Sequence, residues 1–285
     1  NVSASYNTFI GCNSGGANTG SENTFVGANA GLVNTTGFSN TFMGTRAGDA
    51  NSTGNGNSFI GWDAGGANNS GSDNTFVGSA SGNVNTTGNS NTFIGRLAGT
   101  SNTTSAQNTF IGYSAGFSNT TGSPNTFVGQ SAGYNNWSGS RNTYVGAGSG
   151  YDGGNVTDNT FVGNAAGITN VSSFNTFIGQ SSGSGNYQGN NNTYVGHNTG
   201  VGNSSGNQNI LIGSQAGYNN FGSSNSFLGY AAGYSNLSGA SNTFLGRFAG
   251  YSNFGGSFNT FIGVSSGEGT TAGSNTFVGY RSGFT

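Results

Sequence analysis

Short bursts of alternating polar and apolar residues recur along the whole chain. Each burst reads Asn-Thr-Phe-(Ile/Val)-Gly, with its Asn at 7, 23, 40, 57, 74, 91, 108, 125, 142, 159, 175, 192, 209, 225, 242, 259 and 275. The spacing is 17 residues, or 16 in the copies that begin at Asn7, Asn159, Asn209 and Asn259. With that Asn as position 0, the unit is N-T-F-(I/V)-G-x-x-(A/S)-G-x-x-N-x-x-G-x-x, and seventeen copies fill the chain. Self-similarity at one fixed period predicts a repeat architecture. The β-branched and aromatic run between glycines has the length and composition of a strand, and a stretch around +5 to +7 has room for a second strand or an arc. The unit is too short for a pair of helices. It fits one coil of a parallel β-solenoid, in which equivalent positions of successive coils stack ~4.8 Å apart. The predicted fold class is therefore all-β: a single elongated parallel β-solenoid (β-helix or β-roll) of about 17 coils, 16–17 residues per coil, forming one domain over residues 1–285. Its expected length is on the order of 80 Å.

Alternation puts Thr at +1 and Ile/Val at +3 on one side of the strand, and Asn at 0 and Phe at +2 on the other. Both sides carry an apolar column. A thin solenoid has one interior, so one column is expected to fill it and the other to face solvent or another chain. The glycines at +4 and +8 never vary, which suits corners that need positive φ or exclude a Cβ. Asn at 0, and a second Asn at +11 in 14 of 16 copies, predict amide ladders from coil to coil. The residue missing from the shorter copies follows that second Asn, so the stretch beyond it reads as a tolerant loop.

Composition narrows the function. Among 285 residues there are 57 Gly, one Pro, one Cys, no Lys and a net charge of −2, with 22 Phe and 12 Tyr. Charged side chains make up only 4%, far below a typical globular enzyme domain, while the aromatic content argues against disorder. Five scattered Arg cannot neutralise a row of phosphates, which argues against nucleic acid as a partner. No apolar run is long enough to span a membrane. His197 and Cys12 both occupy the variable +5 position and read as solvent-facing residues, not as a base and a nucleophile. Gly146-Ala147-Gly148-Ser149-Gly150 belongs to the repeat, and the seven acidic residues are dispersed, so no phosphate loop or calcium motif is present. Enzymatic activity, cofactors and metals are not expected.

The strand Asn-Thr-Phe-(Ile/Val)-Gly followed by x-x-(Ala/Ser)-Gly resembles the head repeats of trimeric autotransporter adhesins and the Asn/Gly-rich repeats of bacterial surface proteins and phage fibres. That resemblance implies a β-solenoid and an extracellular or cell-surface structural role. The expected function is accordingly a structural extracellular fibre or adhesin shaft. The alternative is an ice-binding protein using a Thr-x-(Ile/Val) face, since Thr stands at +1 in 14 of 17 copies.

Three sets of residues are candidates for contact with partners. Asn34, Asn51, Asn68, Asn85, Asn102, Asn119, Asn136, Asn170, Asn203 and Asn236 each open an Asn-x-Ser/Thr triplet. They are candidate glycan acceptors in an exported protein, or a bare turn ladder. Phe117, Tyr134, Tyr151, Tyr218, Tyr234, Tyr251 and Phe284 form an aromatic series at +9. It reads as stacking between neighbouring coils or as a ridge for another subunit, a glycan or a solid surface. Finally, Asn1 has phase +11 and Thr285 phase +10, so the repeat would continue in register from one molecule to the next. Head-to-tail stacking into a filament is expected, through Asn1, Tyr6, Asn7 and Phe9 at one end and Asn275, Phe277, Phe284 and Thr285 at the other. The rival reading is that the chain is a window of a longer repeat protein.

Overall fold

In a computed structural model, residues 5–284 are described. The chain is all-β, a parallel β-solenoid with one short strand per coil and no helix among the described residues. It divides into two compact units, Asn1–Asn142 and Thr143–Thr285, built to one plan. The first holds β1 (Thr8–Ile10) to β8 (Asn125–Val128), and β9 (Asn142–Val145) opens at its last residue. The second continues through β13 (Ile210–Ile212), β14 (Ser226–Leu228) and β15 (Thr243–Leu245) to β17 (Thr276–Val278). Pairing is parallel and in register, Thr against Thr and Phe against Phe, as in Phe93↔Phe110 and Phe161↔Phe177. The stretch from +5 to +10 is a run of turns, so each coil has one strand and not two.

The inward column is Phe at +2. Phe25, Phe42, Phe59, Phe76, Phe93 and their equivalents in all but the first and last coils are fully buried, with successive rings stacked about 4.8 Å apart and nearly parallel. Small residues at +7, such as Ala98 and Ala115, and both Asn columns fill the remaining interior. Around this narrow core the invariant glycines follow from contact distances. A Cβ on Gly133 would lie 2.5 Å from the Phe127 ring, and its φ is +60. A Cβ on Gly44 would lie 2.4 Å from the carbonyl oxygen of Gly61 in the next coil. The first glycine makes room for the ring; the second lets two coils approach.

Sequence reasoning did not reveal two further left-handed positions in each coil. The residue at +6 and, except at Pro124, the one preceding position 0 take positive φ although most are not glycine, as in Arg46, Leu97 and Phe248, or Glu22, Phe174 and Phe258. Each such conformation costs about 1 kcal/mol. Hydrogen bonds to the preceding coil offset it: Arg46 N–H donates to Ala28 C=O at 2.9 Å, and Ser39 N–H to Ser21 C=O at 3.1 Å. Because backbone bonds fix these corners, the side chains there are free to vary.

Candidate functional site: the strand face and the columns beside it

The two asparagine columns have different roles. At +11 the amides form a true ladder: Asn51 Nδ2 donates to Asn34 Oδ1 at 2.6 Å, and Asn68 to Asn51 at 2.7 Å. At position 0 the side chain bonds chiefly backbone, with an amide-to-amide bond in a few coils, as from Asn74 to Asn57. Asn40 Oδ1 accepts the Asn57 N–H at 2.9 Å, and Asn40 Nδ2 donates to Gly54 C=O at 2.8 Å. The same carbonyl accepts from Asn51 at 3.1 Å, so one glycine oxygen ties both columns together. In the shorter first coil Gly20 C=O takes that part, bonded by Asn7 and Asn18. The omitted residue therefore lies outside the interior bonding, which is why the loop tolerates its loss.

This ladder overturns one expectation. Asn34, Asn51, Asn68, Asn85, Asn102, Asn119, Asn136, Asn170, Asn203 and Asn236 are all fully buried. An amide in that interior has no room for a glycan, so the folded coil excludes them as acceptor sites. The Asn-x-Ser/Thr triplets mark the inner ladder followed by a hydroxyl residue at the surface, where Thr35 Oγ1 donates to Ser52 C=O at 2.8 Å.

At +9 the rings stack along the coils: Phe117 on Tyr134 at 4.8 Å, and Tyr218 on Tyr234 on Tyr251 at 5.0 Å each. Stacking covers the ring faces and leaves edges outward, so the series is a coil-to-coil ladder and offers no flat platform for a sugar ring. Burial, with the neighbouring phenols of Tyr251, Tyr218 and Tyr230, raises the Tyr234 phenol above its ordinary value. Beside it, Arg247 lies over the Phe248 ring at 4.3 Å. Cys12 and His197 are exposed at +5.

Of the residues expected to stack between molecules, Tyr6 is 88% exposed, and Asn7, Phe9, Asn275 and Phe277 are only half-buried, unlike their buried equivalents elsewhere. Phe284 already has a partner, with the Arg281 guanidinium 4.0 Å over its ring. Asn1 and Thr285 lie outside the described residues.

Phe takes the interior, so the other side of the strand is exposed. Thr at +1 and Ile/Val at +3 form two parallel outward ranks. In the first unit they run from Thr8 to Thr126, with Ser58 as the one replacement, and from Ile10 to Val128. Ile60, Ile94 and Met43 are 40%, 37% and 42% exposed. Among the described residues, none of these strand hydroxyls bonds within the protein, whereas Thr19, Thr35, Thr86, Thr103 and Thr120 at +12 all bond the next coil. In the second unit the +1 rank turns apolar at Ile210, which with Ile212, Leu228 and Leu245 of the +3 rank lines a shallow open groove of about 260 Å³ across β13, β14 and β15.

No group of three or more His, Cys, Asp or Glu that could hold a metal ion occurs among the described residues. No described helix is long and apolar enough to cross a membrane. No protein-family model matches the chain, and no curated protein or solved structure matches it. What fold and site define is a class: a parallel β-solenoid repeat protein with an interior of stacked phenylalanine and asparagine.

Proposed function

We propose that the chain is a non-catalytic structural module, the shaft of an extracellular fibre or surface adhesin. The observation that carries this reading is the division of each coil into a fixed interior and a variable exterior. Phe, Asn and Gly recur inside, while +5 ranges over Trp62, Arg96, Tyr113, Gln130 and His197. Such a unit extends a scaffold without altering its cross-section. The likeness of the repeat to surface-fibre and adhesin repeats supports an extracellular or cell-surface location. End-to-end association belongs to the proposal, because the bonds that join neighbouring coils can also join coils of two chains.

Immunogold electron microscopy of intact source cells, using antibodies to this chain, tests the location. Label on surface projections is expected, and label confined to the cell interior would overturn the reading. Electron microscopy of the purified chain tests the assembly. Uniform filaments whose denatured subunit runs at 28.4 kDa are expected, and dispersed single particles would remove the end-to-end part.

A further inference from the structure

We infer that the strand face of the first unit, Thr8 to Thr126 with Ile10 to Val128, is a binding surface for ice. The inference stands on this face and does not require the fibre reading.

The first argument is chemical. Every outward side chain at +1 and +3 of this unit is Thr, Ser, Ile, Val or Met, so the face is uncharged. The ionic groups sit elsewhere: Arg46 pairs with Asp49 and Asp63 beyond the face, and Arg96 occupies +5. Nothing on it complements a charged polymer or a charged protein surface. It also presents no aromatic ring and no side-chain amide, the groups that grip a sugar.

The second argument is size. Three-residue strands, eight deep, make a face of roughly 400 Å², about half of the ~800 Å² that each partner contributes to a stable protein interface. A second copy seated on it would be weakly held. A crystalline surface is itself periodic, so a face repeated at one constant pitch can gather many small contacts along it in place of one area of shaped contact.

The third argument is the combination of methyl groups and free hydroxyls at one constant pitch. Ile and Val methyl groups restrict the orientations of adjacent water without bonding it strongly. The hydroxyls of Thr24, Thr41, Thr75, Thr92 and Thr109, unused within the protein, can each anchor a water in that layer. The coil spacing of about 4.8 Å repeats both groups down the unit. The surface thus holds a first water layer that is already ordered, which a growing ice front can incorporate. Once joined to ice, the rigid coil stack stops the front from closing over it.

The test uses the full chain in a thermal-hysteresis measurement and in ice-affinity partitioning. Wild type should separate the freezing and melting temperatures and enter a growing ice hemisphere. The double variant Thr75→Lys/Thr92→Lys should lose both effects while its circular-dichroism melt stays within a few degrees of wild type. The off-face variant Gln130→Lys should keep both. Four results would overturn the inference: no hysteresis from wild type; equal activity in the double variant; equal loss in the off-face variant; or sedimentation or cellulose and chitin pull-down showing that the same threonines hold a second copy or a polysaccharide.

Discussion

The two units follow one plan, but the second departs from it more often. In the first, the phenylalanine stack is unbroken from Phe9 to Phe127, and every second-column Asn from Asn18 to Asn136 is present. The second has Tyr144, Tyr194 and Leu211 in the stack, Gly153 in the ladder, and three of the four 16-residue coils. The departures show what the interior requires. Gly153 removes an amide in the very coil where Phe becomes Tyr, and the Tyr144 hydroxyl lies 3.4 Å from where a Cβ on Gly153 would be. Tyr194 is accommodated differently, its hydroxyl accepting a hydrogen bond from Asn203 Nδ2. Leu211 has no such compensation. The rings stack up to Tyr194 and resume at Phe227, and the outward face beside the gap carries the apolar groove. Polar substitutions in the core are matched by a neighbour, whereas loss of a ring is not.

The largest expected effect tests what both units share. Gly133→Val puts a branched side chain into the Phe127 ring at positive φ and should cost at least about 4 kcal/mol, enough to abolish a cooperative melt. Gln130→Val, on the outside of the same coil, should melt like wild type; equal damage from both would refute the division into fixed interior and free exterior.

Alkaline pH should separate the units. Burial raises the Tyr144 and Tyr194 phenols above the ordinary value of 10.0. Each stays neutral when folded and ionises when unfolded, so its stabilising contribution is complete below pH 10 and falls as pH rises beyond it. Two pH units higher, each phenol should have lost about 3 kcal/mol. The first unit has no interior tyrosine. Amide hydrogen exchange at rising pH should therefore open the second unit first, and Tyr144→Phe/Tyr194→Phe should remove the difference.

Exchanging the stack residues is expected to act in opposite directions. Phe93→Leu should destabilise the first unit by about 1.5 kcal/mol, and Leu211→Phe should stabilise the second by about 1 kcal/mol, read as shifts in urea midpoint. A loss in both cases would mean that the coil around Leu211 has adapted to the smaller side chain. The smallest effect is the coupling between Tyr144 and Gly153. In a double-mutant cycle with Tyr144→Phe and Gly153→Asn, the pair should be better than the sum of the singles by about 1 kcal/mol.

The architecture was legible because the period, the strand run and the invariant glycines all pointed to one coil. The ladder at +11 was legible for the same reason. The choice between Phe and Ile/Val as interior was not, since alternation alone gives two apolar columns and no sense of inside. The positive-φ corners at Arg46 or Phe174 left no mark in residue type, because hydrogen bonds to the adjacent coil, not glycine, hold them. The Asn-x-Ser/Thr triplets misled because a local motif carries no information about burial.

The loop that absorbs a missing residue also bears on inheritance. A gene segment encoding one coil can be duplicated or deleted by recombination between neighbouring segments that encode the same motif. Every ring and amide column stays in phase afterwards, whether that segment encodes 16 or 17 residues. The number of coils can therefore change in a single genetic event, while the cross-section that folding depends on remains the same.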